Sequence, residues 1–233
     1  MLIVRGGRTA EVARIAATSG HHAVMVDLEH STMSVDVAAQ LCAAAADLGL
    51  TPLVRIPERE YGIVGRLLDG GAQGIVAPRV ETVEQAAPIV AAARFPPRGH
   101  RSAIAMLPGL PPTPAATLNP AQDARTIVQI MLETPTGVAN ADAIAALDGV
   151  DMLAIGANDL TSELGAPGDY AHPALRDAIV TAAAACERHG KLLMLGGTAD
   201  PALYALGASS LRLTGTDSEL LFRAARERVE ALS

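Results

Sequence analysis

Residues 24–30 read VMVDLEH, an apolar run of strand character that ends in two acids and a histidine. A strand that enters a hydrophobic core does not require three ionisable groups at its end, so these groups indicate a functional site or contact with water. The run is continuously apolar rather than alternating, which predicts burial on both faces, as in a parallel sheet. A helix over 34–48, capped by Ser34, is predicted to follow. The stretch therefore predicts one strand–helix unit of a parallel α/β fold.

The same unit recurs along the chain. Strands are predicted at 2–4, 23–28, 51–56, 74–80, 126–132, 151–156, 191–195 and 210–215. Helices are predicted at 9–19, 34–48, 59–70, 82–93, 136–146, 173–189, 199–206 and 217–231. Eight units of this size predict a (β/α)8 TIM barrel in a single domain over 1–233, with a doubly wound open sheet as the second choice.

One connection departs from this rhythm. Residues 95–124, between the fourth predicted helix and the fifth predicted strand, are rich in proline and are predicted to form a long loop. A loop of this length in a compact domain is usually functional or a contact surface. We expect no domain boundary there.

Composition excludes several classes of protein. Half of the 233 residues are hydrophobic, the net charge is −7, and there is no basic run, which argues against nucleic acid as a partner. No apolar run approaches the length of a membrane span, and no signal-peptide core is visible. The two cysteines, Cys42 and Cys186, fall in Ala-rich predicted helices without metal-type spacing. We therefore expect a cytoplasmic protein with no membrane partner.

Polar residues follow five consecutive predicted strands, at the end of the barrel where TIM-barrel enzymes carry their active sites. These residues are Asp27, Glu29 and His30 after the second strand, Arg55 after the third, Arg79 after the fourth, Glu133 after the fifth, and Asn158 and Asp159 after the sixth. Each alone has an ordinary explanation, such as a helix cap or a surface ion pair. Together, at one end of the sheet, they indicate an active site.

These residue types suit enolate chemistry on an α-keto acid. Glu133 and Asp159 supply an incomplete set of oxygen ligands, which suits Mg²⁺ or Mn²⁺ because these ions keep several waters. Arg55 offers a forked cation for a carboxylate or carbonyl oxygen. His30, with Asp27 close by, suits an oriented base near neutral pH. A divalent cation would stabilise the negative charge of the enolate.

The single lysine of the chain, Lys191, is the one candidate for a Schiff-base mechanism. It precedes the seventh predicted strand, whereas a Schiff-base lysine in a barrel lies inside it, near the C-terminal ends of the strands. We predict that Lys191 is a solvated surface residue without a catalytic role.

The chain resembles the HpcH/HpaI-type class II pyruvate aldolases, a family that includes 4-hydroxy-2-oxoheptanedioate and 2-dehydro-3-deoxyglucarate aldolases. The resemblance rests on segments that occur in family order from about residue 20 onwards, namely VDLEHS, LVRIP, LLDGGAQGIVAPRV, ARFPPRGHRS, ETPTG, DMLAIGANDLT and GDYAHP. It implies a (β/α)8 barrel, a divalent metal (Mg²⁺, Mn²⁺ or Co²⁺) and a homo-oligomer. The oligomer would be a trimer or hexamer, often with the last helix exchanged between subunits.

Matched residue by residue, the resemblance places the metal ligands on Glu133 and Asp159. It places the catalytic histidine on His30, with Asp27 as its carboxylate partner. In this family two acids therefore hold the metal, and a histidine–acid pair moves the proton.

The remaining matches concern the substrate. Arg55 matches the arginine that holds the keto acid, and Asp69 matches an acid near the active site. The pyruvate carboxylate is expected to bind the backbone of Gly156, Ala157 and Asn158.

The resemblance implies a carbon–carbon lyase that reversibly cleaves a 4-hydroxy-2-oxo acid to pyruvate and an aldehyde through a metal-stabilised enolate. A citramalyl-CoA-type lyase and an oxaloacetate decarboxylase are alternatives on the same site, and Arg79, Arg98 and Arg101 are the basic candidates for a CoA site. A non-catalytic keto-acid-binding protein is a further alternative. The acid–histidine–arginine set argues against it, because binding alone requires no base. One departure is Met131, on the same side as Glu133, where the family often has glutamine.

Overall fold

The computed structural model describes residues 1–104 and 111–233 of the chain. In this part of the chain, seven parallel strands form one sheet in sequential order. The strands are β1 Leu2–Val4, β2 Ala23–Asp27, β3 Thr51–Arg55, β4 Gly74–Ala77, β5 Ile127–Leu132, β6 Met152–Gly156 and β7 Leu192–Gly196. The first seven predicted strands are thus confirmed. A single curled parallel sheet results, with each strand paired to the next one along the chain.

Helices follow the strands and pack on the outer face of the sheet. They are α1 Ala10–Thr18, α2 Val35–Asp47, α3 Val64–Asp69, α4 Val83–Ala93, α5 Ala115–Arg125, α6 Pro135–Ala139, α7 Ala141–Ala146, α8 Ala157–Glu163, α9 Pro173–Arg188, α10 Pro201–Tyr204 and α11 Asp217–Glu230. The predicted cap is confirmed, since the side chain of Ser34 accepts a hydrogen bond from the amide of Val37. Among the residues that the structure describes, no helix combines the length and the apolar character needed to cross a membrane.

The two faces of the sheet carry separate apolar clusters. In β2, Val24 and Val26 join the large core under the helices, whereas Met25 points to the other side and joins a smaller inner cluster. The buried members of this inner cluster are Met1, Ala23, Met25, Leu53, Val76, Met131, Met152, Ala154 and Met194. Burial on both faces explains why the strand sequences are apolar without alternation. The inward-facing residues at the ends of the strands therefore lie directly above this inner cluster.

The prediction of an eighth strand at 210–215 is wrong. The amide of Ser209 donates to the carbonyl of Leu193 in β7, and the amide of Ile3 in β1 donates to the carbonyl of Gly215, so the segment lies between the two edge strands. Its one bridge to the sheet joins Ile3 and Thr216. Gly215 has a φ of +121°, outside the β region, which interrupts the ladder where a strand would have to continue.

The predicted loop over 95–124 is also only partly correct, because helix α5 occupies its C-terminal end. Pro114 precedes the helix and Pro120 lies inside it, which is why the sequence favoured a loop. Burial of Leu118 and Gln122 against the rest of the molecule outweighs that preference. Residues 105–110 of the predicted loop lie outside the described residues.

Candidate active site

A cavity of about 440 Å³ opens at the C-terminal ends of the strands. Its floor includes Met25, Met131 and Met194 of the inner cluster. Its polar and charged lining residues are Arg5, Arg55, Glu133, Asn158, Asp159, Thr198, Thr214, Thr216, Glu219 and Arg223. The cavity is therefore apolar at its base and charged around its walls, which is the usual composition of a small-molecule site.

Most of the predicted site residues meet in this cavity. The predicted metal ligands Glu133 and Asp159 and the predicted clamp Arg55 all line it. So does the predicted carboxylate-binding turn, made of Gly156, Ala157 and Asn158. Met131 lies on the same side as Glu133, as predicted, and presents a thioether beside it. His30, Asp27 and Asp69 are not among the residues that line the cavity.

The strand register creates a row of alternating charges at the ends of β1, β2 and β3. Val4 pairs with Val26, and Asp27 pairs with Arg55, so the inward residues Arg5, Asp27 and Arg55 lie side by side at the ends of β1, β2 and β3. Arg55 donates to Asp27 from Nε at 3.0 Å and from Nη2 at 2.6 Å. Arg5 donates to the same carboxylate from Nε at 2.6 Å. Asp27 is thus held between two guanidinium groups.

The buried carboxylate of Asp27 is stabilised in its charged form. Burial alone would raise its pKa, but the hydrogen bonds and positive charge of Arg55, together with Arg5 and the amide of His30, lower the pKa to about 2. Asp27 also accepts a hydrogen bond from the amide of Glu29. The pKa of Arg55 is raised, because the acids around it outweigh the opposing effect of burial. The pair is therefore permanently ionised near neutral pH.

The structure does not bring the imidazole of His30 into contact with Asp27, its predicted carboxylate partner. Asp27 contacts only the backbone amide of His30. The imidazole Nε2 instead lies 3.6 Å from Oε2 of Glu29, and Nη1 of Arg55 lies 3.1 Å from that same oxygen. The side chain of His30 is half exposed. Burial raises the pKa of Glu29, against the lowering effect of Arg55 and His30. Oε2 of Glu29 therefore lies between the histidine and the arginine, and it has no hydrogen-bond partner among the described residues.

Glu133 is a buried acid with an unusual environment. Its Oε2 accepts a hydrogen bond of 2.8 Å from the amide of Arg79. Arg79 has a φ of +51°, a backbone conformation that residues other than glycine rarely adopt. Burial raises the pKa of Glu133 to about 7, in spite of the opposing hydrogen bond from Arg79, and the nearby charges of Asp159 and Glu29 raise it further. A buried carboxyl with a raised pKa in a cavity is a common property of functional sites.

Glu133 and Asp159 fit a divalent cation. Both line the cavity, and the charge of Asp159 raises the pKa of Glu133. A cation between the two carboxylates would offset this repulsion and favour the ionised form of both. Within residues 1–104 and 111–233, no group of three or more His, Cys, Asp or Glu side chains is arranged to hold a metal. The protein would then supply two carboxylates, and water or substrate would supply the other ligands, which is how Mg²⁺ is commonly bound.

The turn between β6 and α8 is packed tightly against the acids. A Cβ atom at Gly156 would come within 2.4 Å of Oε1 of Glu133, so only glycine leaves room for that carboxylate. The side chain of Asn158 is fixed by a hydrogen bond from the hydroxyl of Tyr170, which belongs to the GDYAHP segment. His172 of the same segment caps α9 by accepting a hydrogen bond from the amide of Ala174. The GDYAHP segment therefore holds the side chain of Asn158 in position beside the cavity.

Two other predicted residues lie elsewhere. Asp69 ends α3 and accepts a hydrogen bond of 2.8 Å from Arg101, and it does not line the cavity of the single chain, so its place near the site stays a prediction. Lys191 lies just before β7 and does not line the cavity, as predicted. Lys191 is half-buried, and its ammonium group donates to the carbonyl of Val150, so it is less solvated than predicted.

Sequence reasoning missed Arg5 as a residue of the site and gave no role to Glu29. Arg5 directly follows the apolar run of β1, in the same way that Asp27 ends that of β2. The expectation that active-site residues follow the strands of a barrel would therefore have identified Arg5. Glu29 was recognised as a polar residue at a strand end. Its contact with His30 depends on the conformation of the loop after β2, which no spacing in the sequence specifies.

Comparisons with known proteins agree with one another. A family model described as HpcH/HpaI aldolase/citrate lyase matches residues 2–224. The 4-hydroxy-4-methyl-2-oxoglutarate aldolase of Hapsidospora irregularis is 40% identical over 190 residues, which cover 80% of this chain and 70% of that protein. The hydroxypyruvate/pyruvate aldolase of Chromohalobacter salexigens is 34% identical over 227 residues, which cover 96% of this chain and 89% of that protein. The crystal structure of an HpcH/HpaI aldolase from Desulfitobacterium hafniense has a TM-score of 0.91 and 27% identity, covering 99% of this chain and 91% of that one.

Proposed function

The chain belongs to the HpcH/HpaI aldolase/citrate lyase family, and from this premise we propose that it is a divalent-metal-dependent carbon–carbon lyase. It reversibly cleaves a 4-hydroxy-2-oxo acid to pyruvate and an aldehyde. The observation that carries the proposal is the convergence of Arg55, Glu133 and Asp159 on one cavity at the C-terminal ends of the strands. An acid pair for a cation and a permanently charged clamp are the two parts that enolate chemistry requires.

Binding of the pyruvate half uses two sides of the cavity. The amides at Gly156, Ala157 and Asn158 hold its carboxylate. Glu133 and Asp159 would hold the divalent cation (Mg²⁺, Mn²⁺ or Co²⁺), which would supply a Lewis acid for the keto group. Arg55 has N–H groups left after its contacts with Asp27 and Glu29, and donates them to the keto oxygen as negative charge develops there.

Cleavage begins when a base removes the proton from the C4 hydroxyl of the substrate. His30 takes this proton, with Glu29 orienting the imidazole and stabilising it once it is charged. The C4–O bond becomes the carbonyl of the released aldehyde, the C3–C4 bond breaks, and its electron pair forms the enolate of pyruvate. Protonation at C3 then gives the methyl group of pyruvate, and the reverse sequence joins the two fragments.

The alternatives receive less support. Among the three basic candidates for a CoA site, Arg98 pairs with Asp148 and Arg101 with Asp69, and neither lines the cavity. A protein that only bound a keto acid would have no use for a half-exposed histidine 3.6 Å from Glu29 beside Arg55. Decarboxylation of oxaloacetate uses the same enolate and remains a side reaction to assay.

We also propose a homo-oligomer, a trimer or hexamer, in which α11 contributes to the contact between subunits. Helix α11 has no buried residue in the single chain, and Leu221, Phe222 and Val229 are each at least 65% exposed. A helix with so much exposed apolar surface normally has a partner. We further propose that residues 209–216 complete the barrel in place of a regular eighth strand.

The proposed function is tested by following the methyl protons of pyruvate in deuterated water by NMR, with Mg²⁺, Mn²⁺ or Co²⁺ and with small aldehydes. We expect metal-dependent exchange of the methyl protons and formation of a 4-hydroxy-2-oxo acid. Glu133→Gln should abolish both, and a chelator should do the same to the native protein. Absence of exchange and of adduct with every metal would overturn the proposal.

A further inference from the structure

We propose that Arg5 is a specificity-determining residue, which binds a carboxylate carried by the aldehyde half of the substrate. The substrate class would then be 4-hydroxy-2-oxo acids with a second carboxylate on C4. The inference rests on the proposed function, since it concerns the half of the substrate that the metal and Arg55 do not hold.

The guanidinium group of Arg5 is anchored on one side and open on the other. Its Nε donates to Asp27 at 2.6 Å, and its side chain is 35% exposed and lines the cavity. Among the residues that the structure describes, neither terminal nitrogen of Arg5 has a hydrogen-bond partner. Two free terminal nitrogens in one plane match the two oxygens of a carboxylate.

The other cations of the cavity are engaged differently. Arg55 uses Nε and Nη2 on Asp27, and Nη1 lies 3.1 Å from Glu29, so all three of its nitrogens face acids of the protein. Arg223 donates from a terminal nitrogen to Glu219 at 2.8 Å. Within the described lining of the cavity, Arg5 is the cation that keeps both terminal nitrogens available.

The backbone at Arg5 is held in place as firmly as its Nε. The carboxylate of Asp217, at the start of α11, accepts hydrogen bonds from the amides of Arg5, Gly6 and Gly7 at 2.6–3.1 Å. These amide bonds fix the loop after β1, and the contact with Asp27 fixes the far end of the side chain. A cation held at both ends loses little conformational entropy when it binds an anion.

The charge balance of the cavity favours a single negative charge on the bound group. Its ionisable lining residues are three arginines and three acids, namely Arg5, Arg55, Arg223, Glu133, Asp159 and Glu219. The proposed divalent cation would bring this lining to a net charge of about +2, which the pyruvate carboxylate and one further carboxylate would balance. A carboxylate needs only the one fork that Arg5 offers.

Position separates this site from that of the pyruvate carboxylate. The turn proposed to hold pyruvate follows β6, whereas Arg5 follows β1 and belongs to the row of Arg5, Asp27 and Arg55 at the ends of β1, β2 and β3. Arg5 contacts Asp27 at the end of β2, and the loop that carries His30 follows β2 directly. We place the C4 hydroxyl on this side, where His30 would take its proton and the aldehyde would leave.

The test compares two substrates that differ only on C4, one with a carboxylate (4-hydroxy-2-oxoglutarate) and one with a methyl group (4-hydroxy-2-oxopentanoate). In Arg5→Gln, we expect the ratio of kcat/KM for the carboxylate substrate to kcat/KM for the methyl substrate to fall about 10- to 100-fold, mainly through KM, because charge-assisted hydrogen bonds are lost. Arg5→Lys, which keeps the charge but not the fork, should give an intermediate ratio. Arg14→Gln removes the same charge from an exposed position on α1 and should leave the ratio unchanged.

The inference is overturned if the ratio in both Arg5 variants stays within about twofold of the native ratio. It is also overturned if the exchange of the pyruvate methyl protons falls as much as the cleavage of the carboxylate substrate, since Arg5 would then serve the pyruvate half. Failure of the proposed function has a separate signature, which is absence of exchange and cleavage in the native protein. If Arg5→Gln does not fold, Arg5→Lys still decides between these outcomes.

Discussion

Asp27 and Arg55 are register partners on adjacent parallel strands, and two hydrogen bonds of 2.6 and 3.0 Å join their side chains. The carboxylate is fully buried, and the guanidinium nearly so. The pair fixes the plane of Arg55, because Nε and Nη2 bind one carboxylate while the remaining N–H groups stay available for substrate. We therefore expect Asp27 to act as a positioning residue for Arg55, the proposed substrate clamp.

Replacing Asp27 with asparagine should therefore act through Arg55. We expect Asp27→Asn to lower kcat/KM about 100-fold, because the clamp loses its fixed orientation, and to destabilise the fold by about 3 kcal/mol, because Arg55 stays buried without its main partner. Steady-state kinetics and urea unfolding measure the two effects. Asp47→Asn, at an exposed position on α2, is the matched control and should change neither.

The same variant should change the acid stability of the protein. The pKa of Asp27 is lowered from 3.8 to about 2 in the folded state, so its contribution is complete above pH 4 and is lost as the pH falls from about 4 through about 2. In that window we expect the difference in unfolding free energy between the native protein and Asp27→Asn to shrink by about 2 kcal/mol. A difference that stays constant between pH 5 and pH 2.5 would contradict the assignment.

Glu133 should couple metal binding to proton release. With its pKa raised to about 7, this carboxyl is protonated in the metal-free folded protein below that pH, and a cation must displace the proton. We expect Mn²⁺ affinity to fall up to about tenfold for each pH unit below 7, with release of about one proton at pH 6. Calorimetry in two buffers of different ionisation enthalpy measures both quantities.

The sign of the stability effect in metal-free protein follows from the same shift. Between about pH 4.5 and 7, the folded protein binds a proton at Glu133 that the unfolded chain has released, so stability should fall as the pH rises through this range. Glu133→Gln should remove this dependence and should also abolish Mn²⁺ binding. An Mn²⁺ affinity that is flat between pH 5.5 and 8 would show that Glu133 is not a ligand.

A double-mutant cycle decides which acid serves His30. We expect His30→Asn and Glu29→Gln each to lower kcat/KM, and the double variant to be little worse than either single one, because both remove the same proton-transfer unit. His30→Asn combined with Asp27→Asn should give losses that add in free energy. If the losses from His30→Asn and Glu29→Gln add in free energy, Glu29 does not act together with His30, and Asp27 is again the candidate partner.

Patterns of burial and strand ends were sufficient to predict much of the fold and most of the cavity. Seven strands followed from continuously apolar runs, and the positions of Arg55, Glu133 and Asp159 followed from the polar residues after them. These features are local, since each depends on a strand being buried and on its last residue facing inward.

Features that depend on contacts between distant segments were not predictable in this way. The eighth segment has an apolar sequence, but closure of the sheet depends on how 209–216 meets β1 and β7, and Gly215 adopts a positive φ there. Helix α5 forms in spite of two prolines because its buried face packs on the domain. The acid nearest the imidazole of His30 is Glu29 and not Asp27, because Asp27 accepts hydrogen bonds from Arg5 and Arg55. Arg5 lies 22 residues from Asp27 in sequence, so this contact could not be read from local spacing.

The last prediction concerns Gly156, which packs directly against the proposed metal ligand Glu133. Its φ of −87° is available to any residue, so Gly156→Ala causes no backbone strain, but the new Cβ would lie 2.4 Å from Oε1 and 2.6 Å from Cγ of Glu133. The carboxylate end is the part that can move, so the variant should fold and should displace a metal ligand. We expect Mn²⁺ affinity to fall about 10- to 100-fold, with a smaller change in the urea midpoint than in Asp27→Asn. Gly65→Ala, in α3, meets no atom within 4 Å and is the matched control, with unchanged Mn²⁺ affinity. Native affinity in Gly156→Ala would mean that Glu133 does not use this position when it binds the metal.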